Sequence, residues 1–319
     1  MIALCDITGL RLHRLCGVVL SRTNKGDLAG FGMGQKQLDS LTGSTYTARL
    51  EQPHVMILDK NAKRNVDAVP HYCTMHLPRG SLLELKAGIH VASIPICLSQ
   101  MSLHMETYDL IRLLYEICSN YEIVEVPSDG LGETDESAQV IARGTVPLTT
   151  TKDLRTQLRR LTGFPGAAKV LAALDCVADN SCSPRETDLA MWAWCKSSLG
   201  GFGFRLATMN QPISIDGKER RCDLFFGRER VGVEYDSDAE HAGAQKNSAD
   251  SARKKQIENK GYRVISITNG ELKDFDQASD AMRLLGSCLG KRVRDPKPRT
   301  LRARKKLHDY ITGEHRPLF

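Results

Sequence analysis

Arg221-Cys222-Asp223-Leu224-Phe225-Phe226-Gly227-Arg228-Glu229-Arg230-Val231-Gly232-Val233-Glu234-Tyr235-Asp236 holds two short runs rich in Val and Phe around a polar four-residue connection. That pattern predicts a β-hairpin. Pairing Phe226 with Val231 across the turn sets Asp223 opposite Glu234, and opposed residues share a face with Cβ atoms roughly 4.5–5.5 Å apart. Asp236, two positions on, returns to the face of Glu234 because strand side chains alternate. Three carboxylates are therefore expected on one side of an otherwise apolar hairpin. Like charges opposed across strands repel, and a divalent cation removes that repulsion. Hard cations such as Mg²⁺ (or Mn²⁺) take oxygen ligands of this kind. The hairpin is expected to be a metal site for phosphodiester hydrolysis.

The surrounding residues predict an α/β unit of about 110 residues, a normal domain size. Ser183-Pro184-Arg185-Glu186 opens a helix over 183–198, with Ser183 as N-cap, Pro184 at the first helical position and Glu186 at the capping-box position. Met209 to Ile215 is expected to be extended, with Asp216-Gly217 as a turn. A polar, helix-permissive stretch runs from about Ala239 to Lys260, closed by Gly261. Tyr262 to Thr268 reads as a buried strand, and Asn269-Gly270 leads into a last helix over about 271–288. Upstream, Val55 to Leu58 and Tyr72 to Leu77 read as strands and Leu98 to Ser119 as a helix. Pro127 to Thr151 reads as an acidic loop or linker, followed by helices over Asp153 to Leu161 and Ala167 to Ala178. The division expected is an N-terminal domain over 1–126, bridging helices over 127–180, an endonuclease-like domain over 181–290 and a basic tail over 291–319. The fold class is α/β (α+β): a C-terminal mixed sheet flanked by helices, beside a separate mixed N-terminal domain.

Composition bounds the partners. The 319 residues are 41% hydrophobic with a net charge of +6, and no apolar run approaches the eighteen residues of a membrane span. Ten scattered cysteines without CxxC spacing suit reduced thiols in a cytoplasmic protein. Residues 291–319 carry ten Lys or Arg against three Asp or Glu, while the other 290 residues hold 34 basic and 35 acidic groups. All of the basic excess is therefore in that tail. Arg302, Arg304, Lys305 and Lys306 are the candidates there for phosphate contact by counterion release.

The ordered set Arg221-Cys222-Asp223-Leu224, Val233-Glu234-Tyr235-Asp236, His241, Asp250, Arg253 and Gly261-Tyr262-Arg263-Val264-Ile265 resembles the very-short-patch-repair-type endonuclease domain. That domain is a branch of the PD-(D/E)xK restriction-endonuclease-like superfamily, and the resemblance spans about Ser183 to Leu285. It implies that Asp223 is the main metal ligand, with Glu234 and the carbonyl of Tyr235, and that His241 takes the proton from the attacking water. It also implies nucleic-acid contacts from Gln245, Arg253 and Lys254, and a role near the metal for an acid on the first helix, here Glu186. The chain departs from the signature at Cys222, where the superfamily has Pro, at Asp236 in place of Lys, and at Ser237. The segments His76-Leu77-Pro78 and Gly88-Ile89-His90-Val91-Ala92-Ser93 resemble N-terminal halves of abortive-infection-type proteins.

Structural readings stand beside the chemical ones. Glu186 is explained by its capping box alone, and Asp250 with Arg253 by a surface ion pair worth about 0–1 kcal/mol. His71, Cys73 and His76 suggest zinc, but alternation on a strand accounts for them without it. Trp192 and Trp194, two apart on a helix, are expected to be one core and one boundary residue. The expectation is a metal-dependent endonuclease acting on DNA, without a membrane partner. A homodimer is compatible with the sequence. The alternatives are a DNA-binding, antitoxin-like regulator that does not cut, and an RNase toxin.

Overall fold

Strands of two to seven residues alternate with helices and give a mixed α/β chain. A computed structural model describes residues 2–22, 53–58, 68–86, 89–127, 138–215, 218–236 and 258–319. The described strands are β1 (Ile2–Leu4), β2 (His54–Ile57), β3 (Val69–Tyr72), β4 (Leu82–Lys86), β5 (Ile89–Ala92), β6 (Tyr121–Pro127), β7 (Ala138–Gly144), β8 (Thr208–Met209), β9 (Pro212–Ile215), β10 (Lys218–Arg221), β11 (Leu224–Phe226), β12 (Val231–Asp236) and β13 (Arg263–Thr268). The described α-helices are α1 (Asp6–Arg22), α2 (Ile94–Ser102), α3 (Thr107–Cys118), α4 (Thr151–Arg160), α5 (Ala167–Ala173), α6 (Pro184–Trp194), α7 (Asn269–Lys273), α8 (Phe275–Cys288) and α9 (Pro298–Thr312).

The chain divides into two units. The first comprises residues 1–107, 152–172 and 319; the second comprises 108–151 and 173–318. The first is built on a mixed sheet in the order β3-β2-β1-β5-β4. β1 runs parallel to β5 and antiparallel to β2, and β2 runs parallel to β3. Leu10 of α1, Val91 and Ala92 of β5, and Ile96, Cys97 and Leu98 of α2 are fully buried and form its core. The Asp6 N–H donates to Gln100 Oε1 of α2 at 3.1 Å, which ties the start of α1 to the second helix.

The second unit carries the sheet β13-β12-β11-β8. α6 begins as the sequence predicts: Ser183 Oγ accepts the Glu186 N–H at 3.2 Å. α7 has a complete capping box between Thr268 and Glu271, and the Asp274 side chain caps α8. Gly261 adopts φ 78° and donates its N–H to Glu258 O, while the helix it was expected to close lies, over 239–257, outside the described residues. Asp188 of α6, completely buried, receives Arg112 of α3 at 2.7 Å, Arg185 at 3.2 Å and His315 at 2.8 Å.

Several expectations change. The 98–119 stretch is two helices, α2 and α3, separated at 103–106. The 127–151 linker contains β7, which pairs with β6 from Tyr121↔Gly144 to Pro127↔Ala138. Tyr121 and Ile123 of β6 are buried, and β7 pairs along the whole of that strand. The first unit ends at 107 and regains 152–172, where Leu154 and Leu158 of α4 are buried. Trp192 and Trp194 are both buried, with Trp192 Nε1 donating to Ala278 O at 3.2 Å. The C-terminal segment is no extended tail: α9 buries Arg304, Leu307, His308 and Ile311. Gly200, at φ 93°, meets it where a Cβ would lie 2.2 Å from Ala303 O. Only glycine permits that approach.

Candidate functional site

The hairpin forms in the expected register. Phe226 pairs with Val231, Phe225 with Gly232 and Leu224 with Val233, and β12 then runs parallel to β13. Leu224, Phe226, Val231 and Val233 fill the buried face. Phe225, Gly232 and Val264 line the other, packed with Cys222 and Tyr262. Cys222 occupies the space that Gly232 leaves: a Cβ there would lie 2.5 Å from Cys222 Sγ. Cys222 therefore has a packing role.

Glu234 and Asp236 follow Gly232 on that second face by alternation, and both are half-buried. Asp223, just before β11, turns its side chain onto β12: Oδ2 accepts the Tyr235 N–H at 2.6 Å. This is a charge-assisted bond that fixes the carboxylate beside Glu234. The Tyr235 hydroxyl donates to Asn269 Oδ1 at 3.0 Å and anchors the end of β12 to α7. Glu234 and Asp236 are two positions apart on one strand, about 7 Å of rise, so the three acids share a face without meeting at a point.

Glu186 of α6 belongs to the same neighbourhood. Its Oε2 accepts from Asn210 Nδ2 at 2.6 Å and from the Cys182 N–H at 2.8 Å, and its Oε1 accepts from Ser183 Oγ at 3.1 Å. The Asn210 N–H in turn donates to Cys222 O at 3.1 Å and Asp223 O at 3.3 Å. Asn210 therefore links Glu186, through its side chain, to the backbone of Asp223, through its own N–H. Asn210 holds φ 49°, a left-handed conformation uncommon outside glycine, at this junction. Burial raises the pKa of the Glu186 carboxyl, and the three hydrogen bonds oppose that shift. Burial also raises the Cys182 thiol, helped by the charges of Glu186 and Asp223 and opposed by Arg221.

A second cluster lies in the N-terminal unit, and only His71 of it stands out in the sequence. Asp6, His54 and His71 bring one ligand atom each to within 4.8 Å of the others, and among the described residues they are the one such group of three or more. His54 Nδ1 lies 2.8 Å from His71 Nε2 and 3.5 Å from Asp6 Oδ1, and the two rings stack with centroids 5.0 Å apart. Of the residues read as strand alternation, His71 enters this cluster from β3. Cys73 is buried beyond the strand and His76 is exposed. Burial lowers the pKa of His71, which Asp6 opposes and His54 and His104 reinforce.

No family model, curated protein or solved structure matches the chain. The site stands on its own geometry.

The remaining sequence candidates separate clearly. His241, Gln245, Asp250, Arg253 and Lys254 lie outside the described residues. Arg302, Lys305 and Lys306 are exposed on α9. Arg304 is not available to a phosphate: it is 6% exposed, with its guanidinium 3.8 Å from the Phe202 ring centroid. Its planar cation stacks in the core, a role that suits arginine. Among the described residues no helix is long and apolar enough to cross a membrane.

Proposed function

We propose that the chain is a metal-dependent endonuclease that hydrolyses phosphodiester bonds in DNA through a restriction-endonuclease-like C-terminal unit. The observation that carries this reading is the Asp223 carboxylate bonded to the Tyr235 N–H beside Glu234, with Glu186 linked to the same backbone through Asn210. The strand order supports it too: a helix with an acid in its first turn precedes an acidic antiparallel hairpin, and the last strand joins the hairpin in parallel.

The donors available fit a hard cation. Asp223 and Glu234 offer carboxylate oxygens, and the Tyr235 carbonyl leaves its strand on the edge where its N–H meets Asp223. An Mg²⁺ or Mn²⁺ ion there supplies Lewis-acid polarisation of a phosphate and a more acidic water. The chain's own residues hold the geometry. The Tyr235 N–H orients Asp223, Asn210 couples Glu186 to it, and the Tyr235 hydroxyl steadies β12 against α7. Arg302, Lys305 and Lys306 give α9 an exposed cationic face suited to phosphate attraction. His241 is the proton acceptor in this scheme. A role in phage defence or repair, in the cytoplasm, belongs to the same reading.

The wide spacing of Glu234 and Asp236 favours a second reading, a DNA-binding regulator that does not cut. Purified protein incubated with supercoiled plasmid, or with a structured RNA, in Mg²⁺, Mn²⁺ or chelator separates the readings. Nicking of the plasmid by the native chain, lost with Asp223→Ala, supports the nuclease. Equal cleavage by both proteins overturns the assignment of Asp223, and salt-sensitive binding without cleavage establishes the regulator. Preferential cleavage of the RNA moves the substrate class to an RNase.

A further inference from the structure

The Asp6–His54–His71 cluster has a composition and a burial that the hairpin lacks. Each ligand atom comes from a different element: the β1–α1 junction, β2 and β3. Asp6 sits at φ 52°, with its N–H on Gln100 Oε1 and its Oδ1 accepting the Ile7 N–H at 2.7 Å. The His54 N–H donates to Thr8 Oγ1 at 3.0 Å. A left-handed aspartate costs backbone energy, and such strain concentrates where a side chain must be aimed.

Two features point to a cation. His54 Nδ1 and His71 Nε2 share one hydrogen bond at 2.8 Å, and with each ring's proton on its other nitrogen both would turn lone pairs toward the same point, where a cation would replace the shared proton. Independently, Asp6 Oδ2 is buried with no hydrogen-bond partner on a side chain only 8% exposed. A carboxylate oxygen buried without a partner is costly, and a cation bound beside it offsets that cost. Bonds of about 2.1 Å to a tetrahedral ion place ligand atoms about 3.4 Å apart. His54 Nδ1 is 2.8 Å from His71 Nε2 and 3.5 Å from Asp6 Oδ1, and the ligand atoms of all three residues lie within 4.8 Å of one another, close to that spacing.

We propose that Asp6, His54 and His71 form a binding site for a divalent transition metal of the zinc class, separate from the hairpin. Two imidazole nitrogens and one carboxylate suit zinc and its late first-row neighbours, whereas Mg²⁺ prefers an all-oxygen shell. Three protein ligands are the number seen in zinc sites that keep a position open for water or substrate.

The test uses the full-length chain, stripped with chelator and re-equilibrated with Zn²⁺, with bound metal counted by elemental analysis. The native chain and Asp223→Ala are both expected to retain about one zinc per chain in excess Mg²⁺. His54→Ala, His71→Ala and Asp6→Asn are expected to weaken binding by at least about tenfold. The absorption of the Co²⁺-loaded native chain provides a readout independent of whether the variants fold. Intense visible bands identify a low-symmetry, nitrogen-containing shell. Unchanged zinc content in His71→Ala, displacement of zinc by Mg²⁺, or a Co²⁺ spectrum no different from the aquo ion each overturns the site. Retention of zinc by Asp223→Ala keeps this outcome apart from the fate of the nuclease reading.

Discussion

The two acidic centres of this chain differ in how they are assembled. Asp223, Glu234 and Asp236 are close in sequence, all-oxygen and half-buried, and a four-residue turn brings them to one face. Asp6, His54 and His71 come from three elements, carry two nitrogens, and include a carboxylate withdrawn almost wholly from solvent. A hairpin places acids at strand spacing, which suits a loosely held, hydrated hard ion. The start of α1 and the neighbouring strands β2 and β3 bring one carboxylate and two imidazoles within 4.8 Å of one another, a set that suits a tighter, partly covalent ligand shell. Ligand type and burial distinguish the two places, and the two proposals rest on that difference.

The comparison can be tested from several sides. The largest effect is expected at Asp223. Asp223→Ala should lower the initial rate of plasmid nicking by more than about 100-fold, the upper end for residues that merely support a ligand. Next is Asp188, an acid on the same helix as Glu186 that serves the fold instead. Asp188→Ala leaves Arg112 charged and buried, and should destabilise the C-terminal unit by about 3–5 kcal/mol in urea unfolding. A loss below about 1 kcal/mol would mean that the ion network contributes little.

A smaller effect is expected where Glu186 meets the hairpin. Asn210→Ala removes the donor at 2.6 Å and should cost about 1–3 kcal/mol. Because burial raises the folded-state pKa of Glu186, its ionisation opposes folding, and that cost disappears as pH falls through the raised value. Relative to Glu186→Gln, the native chain should therefore gain stability on acidification and lose it as pH returns to neutral. An unchanged difference between neutral and acidic pH would contradict the assigned direction. The smallest effect concerns α9. Lys305→Ala and Arg302→Ala should each reduce the log-log salt slope of DNA binding by about 1, whereas Arg304→Ala should lower stability and leave the slope alone.

What could be read from the sequence was local. The register of Phe226 with Val231 and the Ser183 cap each follow from a few adjacent residues, and both form as expected, as does the left-handed φ of Gly261. Features that depend on distant partners were hidden. The pairing of β6 with β7 was masked by the acidic residues between them, and the burial of Arg304 depends on Phe202. His71 read as plain strand alternation, because its partners at 54 and 6 reach it only once β1, β2 and β3 lie side by side. Charge counting alone makes α9 a tail, because its buried Leu307 and Ile311 lie within a segment, 291–319, that holds ten cations.

The division of labour is tested most directly by one crossed experiment: zinc content and Mg²⁺-dependent plasmid nicking measured on the same preparations of native, Asp223→Ala and His71→Ala protein. The account predicts that Asp223→Ala keeps its zinc and loses nicking, while His71→Ala loses its zinc and keeps measurable nicking. Loss of both properties in both folded variants, or nicking that survives Asp223→Ala, would contradict it.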